Sequence, residues 1–128
     1  MWNFMAKITI RHTMLNVSNI QRSLDFYVNK LGLKMGSPPR EVPYPPEPEK
    51  NMFIAFITDE EGNRVELGSP GYTHVSLAVD DVEKTVEEFK SKGIEVAREP
   101  FPMPGTGRNS PIWFKDPDGV YVEIVKRQ

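Results

Sequence analysis

Apolar and polar residues alternate along 8–17 and again along 72–79, with β-branched side chains well represented, so each stretch predicts a strand with two unlike faces. The period then changes. Leu24, Tyr27, Val28 and Leu31 fall at i, i+3, i+4 and i+7, and Val82, Val86 and Phe89 make a second stripe, so an amphipathic helix follows each strand. Ser18-x-x-Gln21 and Asp80-x-x-Glu83 have the form of capping boxes at the helix starts. Gly32 and Gly93 stand where a helix-ending residue of positive φ is wanted. Three extended segments come next in each half: 33–36, 52–58 and 63–68, then 94–98, 111–115 and 120–126. The signals Glu61-Gly62-Asn63 and Asp116-Pro117-Asp118-Gly119 join the last two of each set as hairpins. The proline-rich stretches 38–48 and 100–108 predict loops, since proline donates no ladder hydrogen bond and is excluded from central strands.

The two halves are copies. HTMLNVSNIQRSLDFYVNKLGLKM, starting at His12, lies over HVSLAVDDVEKTVEEFKSKGIEV, starting at His74, through a shared H-x-x-L-x-V and the helix-ending glycine. Asp59 to Glu66 matches Asp116 to Glu123 as D-x-x-G-x-x-V-E. The expected fold is α+β: one domain over 1–128, made of two βαβββ units at about 8–68 and 72–127. Each half carries one histidine early and one glutamate late.

Strand parity decides where those side chains point. His12, Met14 and Asn16 share one face of their strand while Leu15 and Val17 share the other; His74 and Ser76 likewise oppose Leu77 and Val79. Glu66 opposes Val65 and Leu67, and Glu123 opposes Val122 and Ile124. All four polar residues fall opposite the apolar, helix-covered face, and a mixed sheet that curls through its twist can bring them together around a metal site. A lone strand histidine is more often structural than a ligand. Here the chain has just two histidines, both at the same point of the repeat, and the motif ends twice on a glutamate. His12, Glu66, His74 and Glu123 are therefore the candidate ligands of a divalent metal, a donor set that suits zinc, nickel, cobalt, iron or manganese.

Composition narrows the partners. With 16 basic and 18 acidic residues well mixed and a formal net charge of -2, nothing points to nucleic acid or an anionic membrane. The absence of cysteine removes thiolate ligands, thiolate nucleophiles and disulfides. Residues 1–6 are too short and interrupted for a signal segment, and no apolar run approaches the ~20 residues that span a bilayer, so a soluble, cytoplasmic protein is expected. Trp113, on a predicted strand, is expected in the core, with a cleft wall as the alternative.

These residues carry a resemblance. The opening from His12, the hairpin through Val65-Glu66-Leu67, the segment Tyr72 to Asp80 and the close Phe114 to Ile124 resemble glyoxalase I (lactoylglutathione lyase) of the short bacterial type, in the vicinal oxygen chelate superfamily, over nearly the whole chain. The resemblance implies the glyoxalase/bleomycin-resistance/dioxygenase-like fold and a homodimer in which His12 and Glu66 of one chain meet His74 and Glu123 of its partner. It implies a substrate formed from methylglyoxal and a thiol, glutathione in the family. One glutamate takes a proton from C1, an enediolate forms, and the proton returns at C2 to give a lactoyl thioester. A base must sit within reach, and a divalent cation makes such a carbon acid far easier to ionise. By the family pattern Glu123 is the base and Glu66 chiefly a ligand; nickel or cobalt is the expected metal, with zinc possible.

The chain also departs from the family. Asn16 stands where the short enzymes place an arginine, and Leu67-Gly68-Ser69-Pro70-Gly71 lacks their asparagine. Of the groups that would bind a thiol's carboxylates, Arg98 has the obvious match, with Arg108 or Arg40 as substitutes. The thiol is accordingly open. Three rivals on the same scaffold are a methylmalonyl-CoA epimerase, which carries glutamine at the Glu66 position, a dioxygenase or thiol transferase using two histidines and one glutamate, and a metal-free protein that sequesters a small molecule.

Overall fold

The computed structural model describes residues 5–103 and 105–128, so Trp2 and Pro104 lie outside the described residues. These gather into two compact units that follow the repeat: His12–Thr73, and His74–Gln128 with the described residues up to Arg11. Each contains parallel and antiparallel strand pairs with few helices, as α+β expects.

In the first unit, β1 (Thr9–Asn16) leads into a helical stretch, then β2 (Lys34–Tyr44), β3 (Glu47–Thr58) and β4 (Arg64–Ser69). The order across the sheet is β2-β3-β4-β1, with β1 parallel to β4 and the other pairs antiparallel. The helical stretch is α1 (Ile20–Leu24) followed by a π-helical segment, Asp25–Lys30. Ile20 and Leu24 pack with Ala55, Ile57 and Leu67, and Val17, Tyr27 and Val28 border that cluster. Leu31 does not join it and is 57% exposed. The reason is the wider turn: Leu31 N–H bonds the carbonyl of Phe26, five residues back, so a stripe drawn at 3.6 residues per turn drifts off the buried face. Leu15 also stays exposed, although its parity matches Val17.

In the second unit, β5 (His74–Val79) is followed by α2 (Val82–Ser91), β6 (Pro102–Met103), β7 (Arg108–Asn109), β8 (Ile112–Lys115) and β9 (Tyr121–Lys126). Strands run β5-β9-β8, the first pair parallel and the second antiparallel, while β6 and β7 form a separate two-strand ladder. Val79, Phe89, Ile112, Phe114 and Ile124 form the core here, with Val82 and Val86 packed on it as the helical stripe requires. Both helix caps sit one residue later than expected: Asn19 Oδ1 accepts from Arg22 N–H at 3.0 Å and Asp81 Oδ1 from Lys84 N–H at 2.9 Å.

Three segments differ from their expected form, the first being 100–108, read as a loop, which carries the short β6–β7 ladder at Pro102–Met103 and Arg108–Asn109. The stretch 38–48 is strand on both sides of a turn at Pro45 and Pro46, not a loop. Its prolines are tolerated because β2 is the edge strand and the register slips between Ser37 and Arg40 and again between Pro43 and Tyr44, so no continuous ladder is asked of them. The segment 94–98 is not a full strand; Arg98 alone bridges Trp113, while Ile94 and Val96 pack on the core.

The shared D-x-x-G motif makes the hairpins. Asp59 Oδ1 accepts the N–H of Glu61 and Asn63, and Asp116 Oδ1 accepts those of Asp118 and Val120. Gly62 and Gly119 take φ of 87° and 84°, where a side chain would be strained. The turn fixes the register, and so Glu66 pairs with Phe56 and Glu123 with Trp113, ten residues apart in both copies. Hydrogen bonds from the Asn63 side chain, then from its backbone, hold Asp59 below the usual carboxylate pKa. A depressed folded pKa means stability that is present above the unfolded value and lost as pH falls through the folded one. Asp59→Ala should therefore lower the melting temperature modestly at neutral pH, the carboxylate being exposed. Melts repeated well below the ordinary carboxylate pKa of about 3.9 should show the gap from wild type closing.

Candidate functional site

Each unit holds one buried histidine–glutamate pair. In the first, His12 lies on β1 two residues before Met14, which is in register with Glu66 on β4; His12 Nε2 and Glu66 Oε1 are 3.5 Å apart. In the second, His74 on β5 lies two residues before Ser76, in register with Glu123 on β9, and His74 Nε2 is 3.9 Å from Glu123 Oε1. All four are buried, Glu123 at 8% being the most exposed, and the strand neighbours Val65, Leu67, Leu77, Val122 and Ile124 pack in the helix-side clusters.

Such burial is unusual for carboxylates. A glutamate taken out of water needs a compensating charge or hydrogen bonds, and a divalent cation is one group that would supply such a charge. The spacings suit a shared cation. Two donors each about 2.0–2.2 Å from one ion in tetrahedral geometry stand roughly 3.3–3.6 Å apart, so the first pair fits as it stands and the second needs a few tenths of an ångström. Imidazole nitrogen with carboxylate oxygen is also the right donor chemistry.

The surroundings of the pairs differ. The His12 ring meets Phe56 edge-on at 5.0 Å, and the Arg64 guanidinium lies 4.2 Å from the centre of the same ring. Met14, Met52, Ile54 and Phe56 form an apolar cluster bordered by Val42, Tyr44 and Tyr72. Gly68, two residues after Glu66, leaves room for Met14: a Cβ there would fall 2.1 Å from the methionine methyl. In the second unit, Trp113 stacks on Phe101 with centroids 5.8 Å apart, and the Arg98 guanidinium stands 5.6 Å from the Phe101 ring centre.

The other expected site residues fall as follows. Arg98 is half-buried and bridges Trp113 on β8, which in turn is in register with Glu123, so it lies on a strand row that contains a glutamate. Asn16 is exposed, and its Oδ1 accepts the Gly71 N–H at 2.9 Å, tying the end of β1 to the segment after β4. Arg108 is exposed on β7, its N–H bonded to Thr106 Oγ1. Trp113 is buried but on the Glu123 face rather than among the core residues of β8, as its register shows. Ser76 was not singled out by sequence reasoning, although its parity with His74 and the ten-residue spacing of Trp113 from Glu123 were both readable.

Comparison with known proteins gives the family. Residues 9–124 match the Glyoxalase/Bleomycin resistance protein/Dioxygenase superfamily, and the chain belongs to it. Within that superfamily the likeness runs to lactoylglutathione lyases and makes this an enzyme of glyoxalase I type. The lactoylglutathione lyase of Neisseria meningitidis serogroup A is 34% identical over 131 residues, 91% of this chain and 89% of that protein. A probable chloroplastic lactoylglutathione lyase of Arabidopsis thaliana is 33% identical over 98% of this chain, which spans only 38% of that longer protein. Among solved structures, the Mn(II)-bound glyoxalase of Novosphingobium aromaticivorans superposes with a TM-score of 0.62 at 22% identity, covering 95% of this chain and 40% of that one, a likeness of fold. No helix among the described residues is long and apolar enough to cross a membrane.

Proposed function

We propose that the protein isomerises the hemithioacetal of methylglyoxal and a thiol, glutathione or another, to a lactoyl thioester. The observation that carries this reading is the pair of repeat-related, buried histidine–glutamate contacts at 3.5 and 3.9 Å. Either pair alone offers two donors, so a complete site needs both. His12, Glu66, His74 and Glu123 would together hold one divalent ion, nickel or cobalt by likeness to the short bacterial enzymes and zinc by donor chemistry alone. When bound, that ion supplies Lewis-acid polarisation of the adduct's two oxygens. Glu123 takes the proton from C1 and returns it at C2, a transfer that leaves the composition unchanged. Glu66 stays as a ligand and keeps negative charge in the site. A homodimer whose sites combine pairs from two chains is the assembly we favour, on the likeness to the family.

The thiol is set by groups away from the metal. Asn16 has its side-chain oxygen engaged by Gly71; by likeness to the family, Arg98, with Arg108 as a substitute, would meet a carboxylate-bearing tail. The test is a thiol panel. Nickel-loaded protein with methylglyoxal and glutathione, or one of several other thiols, should show thioester absorbance rising with time. If every thiol fails, the reading is overturned.

A further inference from the structure

The two repeats lay the same three-residue row across their sheets and fill it with different chemistry. In the first unit Met14 and Phe56 stand in register on either side of Glu66. In the second, Ser76 and Trp113 stand on either side of Glu123. Residues in register on neighbouring strands project from one face and are close enough to interact. Met14 and Phe56 bring no N–H or O–H to that face and belong to an apolar cluster. Ser76 brings a hydroxyl and Trp113 an indole N–H.

Those two groups are not engaged elsewhere. Ser76 is 0% and Trp113 2% exposed, and neither Ser76 Oγ nor Trp113 Nε1 has a hydrogen-bond partner among the described residues. A buried donor left in that state is costly, and a core would be better served by alanine or valine at the first position and phenylalanine at the second. The opposite parity of these strands, Leu77, Val79, Ile112 and Phe114, already supplies the helix-side core. Trp113 is also fixed in place. Its backbone exchanges hydrogen bonds with Arg98 at 3.0 and 3.2 Å, and its ring is stacked on Phe101.

We propose that Ser76 and Trp113 contact the substrate, donating from Oγ and Nε1 to the oxygens of the adduct while Glu123 takes its proton. The inference rests on the reading given under Proposed function and extends it to the shape of the reacting side. The ligand class is a small molecule with two adjacent oxygens, one of which gains negative charge during the reaction. Donors placed beforehand where that charge develops lower the barrier without reorganising. Of the two glutamates, Glu123 is the one with such neighbours, which gives a physical reason for their unequal roles.

The test uses zinc-loaded protein with ¹⁵N-labelled tryptophan and acetohydroxamate, whose adjacent oxygens imitate those of the adduct. The Trp113 indole N–H resonance, assigned by its loss in Trp113→Phe, should move downfield on addition of the hydroxamate. In turnover, Trp113→Phe and Ser76→Ala should each lower kcat on the order of 10-fold or more with KM changed far less, since each loses one donor to the developing oxyanion. Metal content of Ser76→Ala should match wild type and its melting temperature should be no lower, since the buried hydroxyl has no partner to lose, which separates contact from packing. An unmoved indole resonance, with kcat within about twofold of wild type in both variants, overturns the inference. An inactive wild-type protein would overturn the assigned reaction instead, and the indole shift would still decide whether the donor meets an oxygen ligand.

Discussion

Glu123→Gln is expected to lower kcat by on the order of 10²-fold or more while the protein keeps its metal, because glutamine preserves size and some ligand ability but cannot accept the proton. Glu66→Gln is expected to do the reverse. It should weaken metal affinity and, with metal in excess, regain much of the rate. The motive is chemical as well as familial: with a divalent ion held by the four residues, one carboxylate would have to be available to accept the proton while the other kept its ligand role, so the two would differ in function. Steady-state kinetics alongside elemental analysis of each variant checks this. A fully metallated but dead Glu66→Gln beside an active Glu123→Gln would reverse the assignment.

The second large effect concerns the histidines. His12→Ala and His74→Ala should each abolish tight metal binding, since each leaves a site with a single imidazole and an underfilled coordination sphere. Metal retained after dialysis is the readout, and full retention by either variant removes that histidine from the ligand set. The same variants probe assembly. Mixing an inactive His12→Ala chain with an inactive Glu123→Gln chain should restore part of the activity if sites combine pairs from two chains, because some mixed dimers then carry one intact site. No recovery after verified subunit exchange would assign each site to one chain.

Much of this was legible in the chain. The repeat, the hairpin turns and strand parity locate His12, Glu66, His74 and Glu123 on the faces away from the helices, because a D-x-x-G turn leaves little freedom of register and a strand has only two faces. What was misread has local causes. The proline-rich stretch 38–48 looked like a loop because the exclusion of proline from sheets applies to central strands, and whether a strand lies at an edge is a property of topology. Leu31 looked buried because a π-helical segment cannot be told from an α-helix by spacing alone. Trp113 reads as core and Ser76 only as a neighbour of His74 on its face, because a serine and a tryptophan become notable as donors only when their polar atoms are seen buried without a partner.

The edge strand β2 has a consequence for the behaviour of the protein in concentrated solution. An exposed sheet margin is a template for another chain, since its free N–H and C=O groups can recruit a further strand. Along β2, Pro38, Pro39 and Pro43 offer no N–H at all, and the slips in register around them break the even spacing that an incoming strand would have to match. The hairpin can thus reach eleven residues along β2 without becoming an adhesive edge. Replacing those prolines with β-branched residues would lengthen the ladder and, by the same logic, open the margin to fibrillar self-association.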